Sequence, residues 1–181
     1  YCAGSQQSGS HYQISLATSD DCTTWTRYEN NPLFQDTFDA RDPMILEDNG
    51  TYYMYYTANM GRNESHHTVN LRMSKDLINW GPARIVFVHT AKGTWGGETE
   101  SPYVVKQGDH FYLFIGPARG YHSTAVYRSA NPLYWRFDSE ITAFPSHAAE
   151  VIKDGENWYV SGAGWDREGV FVAPMKWEVA N

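Results

Sequence analysis

Three short openings carry the ionisable residues best suited to chemistry: Ala40-Arg41-Asp42-Pro43, Thr99-Glu100-Ser101-Pro102 and Ser146-His147-Ala148-Ala149. Aligned on the Pro or Ala that ends each, they present Arg41 with Asp42, then Glu100, then His147. Two carboxyl groups held across a cleft can cleave a glycosidic bond. One protonates the leaving oxygen, and another activates water or attacks the sugar. Arg41 would hold Asp42 ionised or reach sugar hydroxyls through its planar fork. Bland readings stand beside these. Asp42 before a proline can simply cap a turn, and Glu98 competes with Glu100 from two positions earlier on the same face. Asp42 and Glu100 are also one position out of register, so regular strand alternation would point them to opposite faces. A shared site therefore requires irregular backbone at these openings.

The elements that must position these groups repeat. Ser19 to Trp25, Ser74 to Trp80 and Ser129 to Trp135 share one spacing, and both steps between copies are 55 residues. A second phrase follows in its own register: Pro43, Pro102 and Ala149 each stand nine residues before an aromatic pair, Tyr52-Tyr53, Phe111-Tyr112 and Trp158-Tyr159. A fixed period of this size marks an array of like supersecondary units. Residues 42–88 show one unit: an apolar run from Pro43, the turn Asp48-Asn49-Gly50, the aromatic run Thr51 to Thr57, alternation over Val69 to Ser74, and a β-branched run from Ala83 to Val88. Four strands in about fifty residues is the content of a propeller blade. The next unit predicts strands at 101–106, 110–116, 123–129 and 135–143. No segment carries a helical stripe over three turns. Kelch and WD repeats have comparable periods, but their glycine doublets and Trp-Asp pairs are absent.

The expected architecture is all-β: two complete blades at 39–92 and 93–145, the end of one blade at 1–38, and a partial blade at 146–181. Because open strand edges invite pairing with other chains, such a chain is expected to be a fragment of a longer protein or to complete its ring with a second chain. The three Ser-to-Trp phrases read as scaffold, a Ser or Asp closing a tight turn and the Trp packing between blades.

Composition excludes several classes. A net charge of −7 argues against nucleic acid, since phosphate binding needs a basic face. No apolar run approaches the length of a membrane span. Cys2 and Cys22 fit neither a disulfide framework nor a metal motif. The 7 Trp and 13 Tyr suit both strand packing and sugar stacking, and most are expected in blade cores.

Taken in order, Arg41-Asp42-Pro43, Glu100-Ser101-Pro102 with its Tyr-Val-Val and Phe-Tyr-Leu-Phe strands, and His147-Ala148-Ala149-Glu150-Val151 with Trp158-Tyr159-Val160 resemble the furanosidase propellers. These are glycoside hydrolase families 43, 32, 62 and 68, with the likeness leaning to family 43. The resemblance implies a five-bladed β-propeller with three acidic residues in its central pocket. Carried over, Glu100 is the general acid, Asp42 is the carboxylate that tunes the acid or stabilises the cationic sugar, and Arg41 is a substrate contact. The third, an aspartate, belongs to an earlier blade that this sequence does not include, which implies that the chain alone is inactive. Substrates implied are furanosyl or xylosyl linkages of arabinan, arabinoxylan or fructan type. The rival is a non-catalytic carbohydrate-binding or protein-interaction propeller. No cofactor is expected to be required, although the resemblance places a histidine and a structural calcium near the axis. A polymeric substrate would imply a secreted or periplasmic protein.

Further candidates carry two readings each. Trp95 is a sugar-stacking wall or a core ring. His147 is a channel residue or a structural histidine. Arg119, with Tyr121 and His122, would border the pocket from the loop after a second strand. His66-His67 looks like a metal pair, but adjacent histidines rarely share a ligand geometry, and a solvated loop is the expectation.

Overall fold

The computed structural model describes residues 1–4, 11–36, 39–61, 65–93, 97–163 and 169–178. The described residues build antiparallel sheets joined by tight turns. Strands β1 (Cys2–Ala3), β2 (Gln13–Ile14) and β5 (Phe34–Gln35) pair in the order β1-β2-β5, with β3 (Ala17–Thr18) paired to β4 (Thr26–Arg27) beyond them. A four-stranded meander follows: β6 (Arg41–Asp48), β7 (Thr51–Asn59), β8 (His66–Ser74) and β9 (Arg84–Lys92). A second has β10 (Glu100–Gln107), β11 (His110–Gly116), β12 (Thr124–Ser129) and β13 (Glu140–Phe144). Three strands end the chain: β14 (His147–Asp154), β15 (Asn157–Ala163) and β16 (Val170–Met175). β10 touches both β6 and β14. The first strands therefore stand side by side and the sheets fan outward from them, as propeller blades do.

Facing sheets bury their apolar residues against one another, which explains the unbroken apolar runs of the two complete blades, while Ile152, Val170 and Val172 of the last sheet stay exposed. Ile14, Ala40, Met54, Tyr56 and Ala58 form one core cluster between the first two sheets. Tyr55, Val69 and Leu71 join Val104, Leu113, Ile115 and Tyr127 in a second. Val105, Phe114 and Val126 meet Ala149, Val151 and Val160 in a third. Neighbours in sequence thus serve opposite faces: Tyr55 packs forward and Tyr56 backward, Val104 backward and Val105 forward. This is the two-residue period of a strand, apolar on both sides because both sides are covered.

The repeated turns close as their residues dictate. Asp76 Oδ1 accepts the Ile78 and Asn79 N–H groups at 3.0 and 2.7 Å. Asp21 Oδ1 does the same for Thr23 and Thr24 at 2.8 and 2.7 Å, and Asn131 Oδ1 for Leu133 at 2.9 Å. The tryptophans diverge, however. Trp135 is 1 % exposed and meets Tyr55 edge-on at 5.6 Å, Trp80 packs beside the first cluster, but Trp25 is 59 % exposed. Packing between blades is therefore not common to all three. The outer strand expected over 135–143 also begins later. Phe137–Ser139 form a 3-10 turn, and pairing with β12 starts at Glu140. No helix of the described residues is long and apolar enough to cross a membrane.

Candidate active site

The irregular backbone that the openings require is present in all three blades. In β6, Arg41 pairs with Thr57 and Met44 with Tyr55, so three residue steps face two. β10 does the same between Glu100 and Tyr103, and β14 between His147 and Glu150. Each is a bulge with one extra residue, and a positive φ falls at the same place in each: Asp42 at 52°, Ser101 at 48° and Ala148 at 51°. Left-handed backbone at a non-glycine residue is strained, and bulges re-aim side chains beside functional sites. The residue before each aimed position is sealed in the core: Ala40, Thr99 and Ser146 are all buried.

Arg41 is the hub. Its Nε donates to Asp39 Oδ2 at 2.8 Å and its Nη1 to Glu100 Oε1 at 3.4 Å. Burial would pull its pKa down, but the fields of Asp39, Asp42 and Glu100 outweigh that and hold it above its ordinary value. Asp39 was not a candidate by sequence. It lies two residues before Arg41, with its Oδ1 buried and without a partner. Burial lifts its carboxyl pKa above the ordinary value in spite of Arg41. Asp39 thus fixes the guanidinium from behind while Glu100 meets it in front.

The segment carrying Glu100 is tied to the preceding blade residue by residue. Glu98 N–H donates to His67 Nδ1 at 3.1 Å. Thr99 is held twice, its carbonyl accepting from Thr57 Oγ1 at 2.8 Å and its own Oγ1 donating to the Thr68 carbonyl at 3.1 Å. Glu100 meets Arg41, and the Ser101 N–H donates to Asp42 Oδ2 at 3.1 Å. The bulges thus bring Arg41, Asp42 and Glu100 together although their positions are out of register. His67 lies on β8, buried, rather than in a solvated loop, and His66 Nδ1 donates to the His89 carbonyl at 2.8 Å. The polar residues around the pair concealed the strand.

His147 is buried, and its Nδ1 donates to the Tyr121 carbonyl at 2.9 Å. The Tyr121 ring stacks on the imidazole at 4.2 Å. Burial raises the Tyr121 hydroxyl pKa, with Glu100 and Asp42 adding and Arg41 opposing, so this ring shares their field. Arg119 is placed differently from expectation: its Nη2 pairs with Glu140 Oε1 on β13 at 2.7 Å, largely exposed. Trp95 lies outside the described residues. Among the described residues no three His, Cys, Asp or Glu side chains group to hold a metal ion.

Comparison with known proteins adds the following. The family described as "Glycosyl hydrolases family 32 N-terminal domain" matches residues 1–106. An uncharacterized protein of Mycobacterium tuberculosis is 25% identical over 173 residues, covering 91% of this chain and 49% of its own length. The chain thus spans about half the length of the curated relatives it matches. A thermostable family-43 glycoside hydrolase superposes with a TM-score of 0.76 at 18% identity, covering 98% of this chain and 67% of that one. The Bombyx mori family-32 β-fructofuranosidase superposes with a TM-score of 0.63 at 18% identity, covering 89% of this chain and 38% of that one. The architecture is that of the five-bladed propellers of these families, here two complete four-stranded blades flanked by two partial ones.

Proposed function

Because this chain belongs to the glycosyl hydrolase family 32 N-terminal domain family, we propose that it contributes the acid-bearing blades of a glycoside hydrolase. The bond cleaved is a furanosyl or xylosyl linkage of a plant polysaccharide or fructan, and a fructofuranosyl linkage is the first choice. The convergence of Arg41, Asp42 and Glu100 carries this reading, through the 3.4 Å ion pair and the 3.1 Å bond from the Ser101 amide to Asp42.

Glu100 protonates the leaving oxygen, which lets the bond break without expelling an alkoxide. As that oxygen leaves, positive charge develops on the ring that keeps the anomeric carbon, and Asp42, held in place, stabilises it. Arg41 turns from Glu100 toward sugar hydroxyls as substrate enters, its aim preserved by Asp39. Family 32 relatives retain configuration, so a third carboxylate would attack the sugar, with the two carboxyl groups about 5 Å apart.

The test uses the full-length protein with sucrose, inulin, arabinan and xylan oligosaccharides, with released monosaccharide measured. Release of fructose is expected. Binding of these sugars without release from any of them would overturn the catalytic reading in favour of a binding module.

A further inference from the structure

His67 has the geometry of a support rather than a spacer. It stands on β8 opposite Asn59 of β7, and is 5 % exposed. Its ring fills the space beside Gly97: a Cβ on that glycine would lie 2.2 Å from Nδ1, and Gly97 takes a φ of 89° that side chains rarely adopt. Nδ1 accepts the Glu98 N–H, so its lone pair must be free and the proton must sit on Nε2. Nε2 lies beside Gly93, without a hydrogen bond of ordinary geometry. The Gly97 carbonyl in turn accepts the Glu100 N–H at 3.3 Å. One imidazole therefore seats the turn from which Glu100 projects.

We propose that His67 is a positioning residue for Glu100: the neutral ring seats the turn at 97–100, and a second proton on the ring unseats it. An imidazolium would set its Nδ1–H against the Glu98 N–H, two donors facing each other. The charged groups around the ring are Glu98 and Glu100 from the turn, Arg41 from β6, His66 beside it and His89 from β9. Burial lowers the pKa of His67 most, Glu98 and Glu100 oppose that and Arg41 adds to it, so the neutral form holds at neutral pH.

The role rests on Glu100 being the acid, and one of its tests is independent of activity. In the full-length protein labelled with 15N-glutamate, the Glu98 amide resonance moves with pH at the midpoint of the His67 ring protons. In His67→Asn, which keeps an acceptor near the Nδ1 position and cannot titrate, that movement is lost. Turnover gives the second reading. His67→Leu lowers kcat about 100-fold, as a displacement of order 1 Å does, with KM changed less than twofold. His67→Asn restores most of that loss and flattens the acidic limb of the kcat profile. A Glu98 amide indifferent to His67 protonation, or His67→Leu with the parent kcat and profile, overturns the role. Should the parent protein release no sugar, the hydrolase reading fails, and the Glu98 amide still decides this one. If His67→Leu does not fold, the Asn variant decides.

Discussion

Asp42 on one blade holds the backbone of Ser101 on the next, accepting its N–H at 3.1 Å. Both residues are left-handed, at φ of 52° and 48°. The relationship ties the carboxylate beside Arg41 to the residue that follows Glu100, so the two acids cannot drift apart without breaking it. An electrostatic site gains most when its charges are fixed before the reaction, and here the bulge does the fixing.

Separating the charge of Asp42 from its hydrogen bond gives a first prediction. Asp42→Asn keeps an acceptor for the Ser101 N–H but loses the anion, so kcat should fall by about 100- to 1,000-fold while the melting temperature stays close to the parent's. Asp42→Ala also leaves that N–H unpaired, costing a further ~1–3 kcal/mol of stability. Paired turnover and denaturation measurements separate the two; equal stability of both variants would contradict the structural part.

The bulges themselves are testable at the position that carries no polar side chain. Ala148 is left-handed at 51°. Ala148→Gly relieves that strain and should hold or raise stability by up to ~1 kcal/mol. Ala148→Val should lower it by more than about 1 kcal/mol, since a β-branched side chain suits this region least. Chemical denaturation of the two variants checks the sign of each.

Between the first two blades, Asp36 is the shared acceptor. Arg72 Nη2 donates to its Oδ1 at 2.6 Å, Asn70 reaches Oδ2 at 3.4 Å, and the Tyr56 hydroxyl also donates to Oδ2. Both ion-pair partners are largely buried. Asp36→Ala should cost about 3–5 kcal/mol, because it strands a buried guanidinium. The exposed pair of Arg136 with Asp138 should be dispensable, and Arg136→Ala should melt with the parent. Thermal unfolding of both variants decides.

His67 also predicts how stability varies with pH. Burial holds its folded pKa below the ordinary 6.5, so the unfolded chain binds more protons in the window between the two values. Its contribution is complete above about pH 6.5 and is lost as pH falls toward the folded value. Denaturation midpoints of the parent, compared with His67→Asn between pH 5 and 8, should converge at the acidic end.

The blades were legible because their signals are local and repeated. Turn residues such as Asp76 and Asn131 close their loops by the chemistry their type allows, and the runs around Tyr55 and Val104 alternate between two covered faces. Arg41, Asp42 and Glu100 stood out as ionisable groups at equivalent openings. Their convergence could not be read from strand alternation, because it depends on an extra residue whose φ no pattern reports. Asp39 was missed, and His67 was placed in a loop, for a related reason. Each acts through a partner distant in sequence or through burial, and a polar neighbourhood hides both. Arg119 looked available for the pocket until Glu140, on a strand that starts five residues later than expected, proved to be its partner.

The most direct test of the central reading is Glu100→Gln in the full-length protein, measured on the substrate that the parent hydrolyses fastest. The change preserves size and an acceptor for Arg41, and removes the ionisable carboxyl that supplies the leaving oxygen's proton and pairs with Arg41. Loss of a general acid predicts kcat lower by about 100- to 10,000-fold, with KM and melting temperature near those of the parent. Turnover within a few-fold of the parent would mean that Glu100 donates no proton and that the sugar chemistry assigned to these blades is wrong.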